Sequence, residues 1–311
     1  MELSLTIPRD DFDVDSLSAA ATRLAELVGE HDHIRVRVTT DFVAAVRDAI
    51  ADDPDYAAAY EQDREFAFAV AKTITQADES IDLIVDAGIF SLDADAAEAL
   101  RTFEHEALHV VLGHRGESMN DLRSRRGQAR ESAAGTHSAI CGVACEEYRV
   151  ERALWDLHPA AREHSHLAQF ETLLDRFDDS VRKASIQYQR DLDVEAICKA
   201  VMDAFHALCT STAYVAAELD ADATRPLTID ADLDARLLGA PWRRAVAEMQ
   251  KLPTANVEST RQDLEEIADG IGAALVEWLE HIGFSLNDEP GGALHFGVLN
   301  PEEWVSWSDL M

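Results

Sequence analysis

The residues of this chain that are best suited to catalysis lie in one short segment, 103–114. It contains the pattern His-Glu-x-x-His, formed by His105, Glu106 and His109. On an α-helix, residues four apart share a face, so both imidazoles can reach one metal ion. Glu106 lies beside that face, where its carboxylate can take a proton from a metal-activated water. The spacing therefore predicts a zinc site, with His105 and His109 as ligands and Glu106 as the general base.

The surroundings of this pattern favour the same interpretation. It falls in the middle of a predicted helix that directly follows a predicted strand, and Leu108, Val111 and Leu112 supply apolar residues for the other helix positions. The alternative is a buried helix whose histidines pair with backbone groups or carboxylates.

A zinc site also needs a third protein ligand, and His114 does not qualify. At 100° per residue His114 lies roughly 180° from His105 on the same helix, so the two side chains cannot bind one ion. We expect His114 to be a helix-end residue that interacts favourably with the helix dipole.

A second predicted helix offers a better ligand. On its helical wheel Glu147 and Glu151 lie at the centre of an apolar face, whereas Glu146 and Arg149 lie, with Arg152 and Asp156, on the polar side. Two carboxylates within an apolar stripe are costly to bury without partners. A metal for Glu147 and a metal-bound histidine for Glu151 would satisfy both. The alternative is an ion pair with an arginine such as Arg101 or Arg130.

With these residues in place, the chain resembles the gluzincin metallopeptidases. His105, Glu106 and His109 on one helix, followed by Glu147 and Glu151 on another, match the family's pattern. The resemblance implies that Glu147 is a zinc ligand and that Glu151 orients a zinc histidine. Locally, residues 84–114 are similar to the ImmA/IrrE-type peptidases, and the likeness covers about residues 80–158. It implies a zincin-like fold, with a small mixed sheet packed on the His-Glu-x-x-His helix.

The elements that position this site follow from hydrophobic periodicity. Alternating apolar residues predict strands, and residues at helical period predict helices with a loop at 115–135. The predicted strands cover 3–7, 34–38 and 81–86, and the predicted helices cover 15–30, 41–51, 56–76, 93–114 and 136–158. If the strand at 81–86 lies at the sheet edge, an extended substrate could pair with it.

Beyond residue 160 nearly every long segment has helical period. The predicted helices there cover 168–177, 193–219, 233–250 and 259–282, before a strand and tail at 291–311. The sequence thus predicts an α+β protein with a mostly helical second half. We expect a zincin-like metallopeptidase domain at 1–158, a helical region at 159–285 and a C-terminal segment at 286–311.

Several other groups could contribute to function. An arginine-rich loop could recognise acidic groups of a substrate, or it could pair with the protein's own carboxylates; it contains Arg115, Arg123, Arg125, Arg126 and Arg130. The possible oxyanion stabilisers are Tyr148, His137, His164, His166 and His206. Cys141 and Cys145 could chelate a metal from one helix face, but small buried thiols are the more ordinary interpretation.

Composition limits the partners. The chain has 60 acidic and 27 basic residues, a formal net charge of −33 over 311 residues. Such a surface repels phosphate backbones and anionic membranes, so neither nucleic acid nor a membrane is expected as a partner. The absence of long apolar runs and of a secretory signal, with only four cysteines, predicts a cytoplasmic protein. No residue pattern indicates the oligomeric state.

The sequence therefore predicts a zinc-dependent peptidase that hydrolyses peptide bonds in a protein or peptide inside the cell. The alternative is a zinc-binding regulatory or interaction protein with the same fold and little or no turnover. The presence of Glu106 favours the enzyme, because a scaffold has no need of that carboxylate.

Overall fold

The computed structural model shows a mixed α+β protein that is mostly helical. It describes residues 2–6, 13–29, 34–52, 54–60, 63–64, 67–68, 70–76, 78, 80–91, 93–158, 165–290, 294–299 and 304. The chain divides into two compact units, Met1–Gly116 and Glu117–Met311.

The first unit contains every described strand before residue 90 and four α-helices. In chain order these are β1 (Glu2–Thr6), α1 (Val14–Val28), β2 (Ile34–Thr39), α2 (Phe42–Ala49), α3 (Pro54–Ala59), β3 (Asp63–Arg64), β4 (Ala67–Phe68), β5 (Ala71–Thr75), β6 (Ile81–Asp86) and α4 (Ala96–His114). A 3₁₀ turn, Ala87–Phe90, follows β6. The predicted strands near 3–7, 34–38 and 81–86 and the predicted helix ending at His114 are confirmed over the described residues.

Four strands form the main sheet in the order β1-β2-β6-β5. The pairs β1–β2 and β2–β6 are parallel, whereas β5 pairs antiparallel with β6. This arrangement overturns one expectation: β6 lies inside the sheet, and β5 lies at its edge. A substrate strand therefore cannot add to β6, because both of its sides are already hydrogen-bonded.

The predicted helix at 56–76 is wrong over most of its length. Helix α3 ends at Ala59, and Ala71–Thr75 forms the edge strand β5. The segment Lys72, Thr73, Ile74 and Thr75 has β-branched residues at three of its four positions, which favours a strand. Pairing with β6 then satisfies its backbone, so the sheet overrides the alanine-rich pattern before it.

Alternation along the strands creates two cores. Val36, Leu83 and Val85 face one side of the sheet, where Phe103 and Ala107 of α4 pack together with α1. Ile84 faces the other side and packs against α2. Helix α4 begins at its N-cap Asp95, whose carboxylate accepts the Ala97 N–H. One apolar face of α4 is therefore fixed against the sheet, which decides how its histidines are presented.

The second unit is helical, with one hairpin among its described residues. Its elements are α5 (Leu122–Arg125), α6 (Ala133–Leu157), α7 (Leu167–Asp191), α8 (Val194–Ala221), α9 (Ala231–Leu233), α10 (Gly239–Met249), α11 (Arg261–His281), β7 (Phe284–Asp288) and β8 (Leu294–Val298). Helix α6 packs against α8 and α11, and α7 packs against α8.

Most of the second-half predictions are confirmed, with three differences. Helix α7 continues fourteen residues beyond the expected end at 177. A π-helical turn, Asp234–Leu238, interrupts the helix expected at 233–250. The strand β7 was not predicted, and it pairs antiparallel with β8. The rest of the predicted tail lies outside the described residues, apart from Trp304, whose indole donates to the Ile282 carbonyl.

The division into two compact units does not test the predicted domain boundaries at residues 158 and 285, which stay predictions. Among the described helices, none combines the length and the apolar character needed to cross a bilayer.

Candidate metal centre

His105 and His109 lie one turn apart on α4, outside the apolar face that packs on the sheet. Both side chains are half-buried, and their Nε2 atoms are 3.1 Å apart. Two nitrogens bound to one tetrahedral zinc at about 2.0–2.1 Å would lie roughly 3.3 Å from each other. The histidine pair therefore has the separation that a shared zinc ion requires.

Glu106 lies on the same helix, and its side chain is buried, with 8% of its surface exposed. One of its oxygens, Oε2, accepts a hydrogen bond from the Thr73 hydroxyl on β5, at 2.5 Å. The expected general base is thus held from the edge strand of the sheet. The residue pattern gives no sign of Thr73 as a partner of Glu106, because Thr73 lies in the segment predicted to be the helix at 56–76.

Neighbouring Glu104 anchors the helix rather than the site. Its carboxylate is 1% exposed and accepts a 2.7 Å hydrogen bond from Nε of Arg23 on α1. That bond, with a second one from Arg23 to Glu26, raises the pKa of the Arg23 guanidinium. The pair joins α1 to α4 beside the residues of the motif.

Glu147, on α6 of the second unit, is the third expected ligand. The side chains of His105, His109 and Glu147 are each half-buried. Two imidazoles and one carboxylate are the donor types found in catalytic zinc sites. The residues present therefore fit a zinc ion.

Within the second unit, Glu147 is held by a residue that the sequence analysis did not single out. The hydroxyl of Tyr214 on α8 donates to Oε2 of Glu147 at 3.0 Å. The two residues are 67 positions apart, so no local pattern could have related them.

Glu151 lies one turn further along α6 and is buried. Its Oε2 is 3.4 Å from Nε2 of His166, just before α7. The His166 ring packs on the Tyr214 ring, with centroids 4.8 Å apart. Glu147, Tyr214, His166 and Glu151 thus form one polar cluster within the second unit, and we refer to these four residues as the α6–α8 cluster.

The prediction that Glu146 and Arg149 lie on an exposed, polar side of α6 is wrong. The two residues are 2% and 0% exposed. The Glu146 carboxylate accepts the N–H groups of Met119 and Asn120, and Arg149 pairs with Glu117 at 2.5 Å. The segments that precede α5 and follow α10 cover the part of this side that carries Glu146 and Arg149, so these two charges are buried with hydrogen-bond partners.

The remaining candidates have other partners. Tyr148 donates to Asp220, and burial raises the pKa of its hydroxyl. His137 lies 3.1 Å from the Leu286 carbonyl, and burial lowers the pKa of its imidazole. His206 is half-buried on α8, and His164 lies outside the described residues.

Two arginines of the arginine-rich loop form ion pairs with the protein's own carboxylates. Arg125 pairs with Asp121 and Glu265, and Arg126 pairs with Asp269. For these two arginines, the alternative that they pair with the protein's own carboxylates is confirmed. Cys141 and Cys145 are free, buried thiols with sulfurs 3.8 Å apart. The hydrogen bond with Cys141, together with burial, raises the pKa of Cys145, which makes it a poor thiolate donor at neutral pH.

Comparison with known proteins found no similar family: no family model, curated protein or solved structure matches the chain.

Proposed function

We propose that the protein is a zinc-dependent peptidase in which His105, His109 and Glu147 hold the ion. The observation that carries this proposal is the 3.1 Å separation of the two Nε2 atoms. Beside them on the same helix is the buried carboxylate of Glu106, which is not one of the proposed ligands. We further propose that the first unit and α6 together have a zincin-like fold of the gluzincin type, with local similarity to the ImmA/IrrE-type peptidases.

When bound, a zinc ion in such a site polarises the scissile carbonyl and acidifies a water molecule. The protein's own residues supply the rest. Glu106 accepts a proton from the attacking water and passes it to the leaving amine. Tyr214 orients the Glu147 carboxylate by binding its Oε2. Glu151 is proposed to accept a hydrogen bond from a zinc-bound histidine, which would fix the tautomer of that imidazole.

The edge strand suggests how a substrate binds. β5 lies at the edge of the sheet, and its residue Thr73 contacts Glu106. An extended peptide that adds to β5 would use backbone hydrogen bonds, which need no particular side chains. We therefore propose an unfolded protein or a peptide as the substrate. All four cysteines are free thiols, which supports a reducing, cytoplasmic location.

The test is proteolysis by the Glu106→Gln variant, which removes the base but none of the proposed ligands. We use β-casein and a pool of quenched fluorescent peptides as substrates, and we measure zinc content in parallel. The rate should fall on the order of 10³-fold or more with zinc content unchanged.

The matched control is Glu98→Gln, an exposed glutamate in the first turn of the same helix, and its rate should equal that of the wild type. Equal rates for Glu106→Gln and the wild type would refute the mechanism. A protein that binds zinc but cleaves neither substrate would instead be the regulatory alternative.

A further inference from the structure

We infer that Thr73 is a positioning residue for Glu106, a role that rests on the proposed function. The Thr73 hydroxyl donates to Oε2 of Glu106 at 2.5 Å. Within the part of the chain that the structure describes, this is the hydrogen bond that the Glu106 carboxylate accepts. The bond occupies Oε2 and fixes the orientation of the carboxylate, so that Oε1 is the oxygen that accepts a proton.

The strand makes the Thr73 hydroxyl a rigid donor. β5 pairs with β6 over five residues, and Thr73 lies opposite Leu83 in the middle of that register. Threonine is β-branched, so its side chain is stiff about χ1. The position of the hydroxyl is thus fixed by the sheet on which α4 packs, rather than by a mobile loop.

The alternation of β5 also places Thr73 on the required face. Ala71 packs against the core that contains Phe103 and Ala107 of α4, whereas Ile74 packs against the opposite core. Because residues two apart in a strand share a face, Thr73 points to the α4 side with Ala71. A residue without a hydroxyl group at position 73 would leave a buried carboxylate without this donor.

Such a bond could serve stability alone, since a buried carboxylate needs a donor in any protein. The two roles differ in what they affect. A positioning role requires that loss of the hydroxyl lowers kcat while the substrate affinity and the zinc content are unchanged. A purely structural role changes the melting temperature and leaves kcat as it was.

The experiment compares Thr73→Val, Thr73→Ser and Thr75→Val in the full-length zinc-loaded protein. Valine keeps the shape of threonine and removes the hydroxyl, and serine keeps the hydroxyl. Thr75 lies on the same face of β5, two residues further along, and is exposed, so Thr75→Val is the matched control. The measurements are kcat and KM on the fluorescent peptide pool, together with zinc content.

Thr73→Val should lower kcat by about 10–100-fold with KM unchanged, because small misplacements of a reacting group have effects of this size. Thr73→Ser should stay within about threefold of the wild type, and Thr75→Val should be indistinguishable from it. A wild-type kcat for Thr73→Val, in a protein that does cleave the peptides, would overturn the inference and leave the proposed function intact.

A second measurement tests the bond itself even if no peptide is cleaved. In zinc-free protein, the shifts in melting temperature caused by Thr73→Val and Glu106→Gln should not add in the double variant, because the two residues share one bond. Absence of cleavage by the wild type would remove the proposed function. Additive shifts in melting temperature would overturn the inference independently.

Discussion

Replacement of Arg149 by methionine should be among the most destabilising single changes in the second unit. Arg149 has no exposed surface and donates to the Glu117 carboxylate, the Glu117 carbonyl and the Pro253 carbonyl. Glu117 is 3% exposed. In the variant, the Ser259 N–H is the one donor that the Glu117 carboxylate keeps among the residues that the structure describes. The variant therefore strands a buried carboxylate.

The size of the effect follows from the burial of the pair. Removing one partner of a buried ion pair typically costs about 3–5 kcal/mol, because the other charge is left buried without compensation. We therefore expect Arg149→Met to lower the free energy of unfolding by about 3–5 kcal/mol.

The assay is urea unfolding followed by tryptophan fluorescence. All five tryptophans of the chain lie in the second unit, at positions 155, 242, 278, 304 and 307, so the signal reports that unit. The control is Arg152→Met on the same helix, whose partners Asp156 and Asp220 are exposed at the surface. It should cost about 0–1 kcal/mol.

The double variant Arg149→Met with Glu117→Gln removes both charges and should recover most of the loss. A loss below about 1 kcal/mol for Arg149→Met, the size expected of an exposed pair, would refute this reasoning.

Two further predictions concern the α6–α8 cluster. Tyr214→Phe removes the hydroxyl that binds Glu147 and should weaken zinc binding by about 10–100-fold, measured by competition with a chromophoric chelator; an unchanged zinc affinity would show that this hydrogen bond does not orient the ligand. Glu151→Gln should weaken zinc binding by a similar factor of about 10–100, whereas a loss of zinc-free stability with unaltered zinc affinity would mean that Glu151 serves only its contact with His166.

The parts of the fold that could be predicted are those with a clear local pattern. The helix that ends at His114 and the helix that carries Glu147 have sustained apolar periodicity, so their existence follows from the residues. The spacing of His105 and His109 likewise fixes a shared face, and their nitrogens are indeed adjacent. The edge strand could not be recognised, because the alanine-rich residues before Ala71 have helical periodicity, and the partner that makes Ala71–Thr75 a strand is β6, a later segment of the chain.

Burial on a second side of a helix is the other feature that periodicity misses. A helical wheel assigns Glu146 and Arg149 to solvent because they lie opposite the apolar stripe. In the structure, residues near Met119 and Pro253 cover that side and pair with both charges. Tyr214 and Thr73 were missed for a related reason, since each contacts its glutamate across more than 30 residues of sequence.

The measurement that tests the central claim most directly is the zinc content of the purified protein. It is determined by elemental analysis before chelation, after chelation and after return of zinc. The wild type and Asp156→Ala, which changes an exposed carboxylate on the same helix as Glu147, should each hold about one zinc per chain. His105→Ala and His109→Ala should hold none, and Glu147→Ala should bind zinc much more weakly. If the two histidines merely share a hydrogen bond, the wild-type protein will retain no zinc after reconstitution. That result would contradict the proposed zinc site.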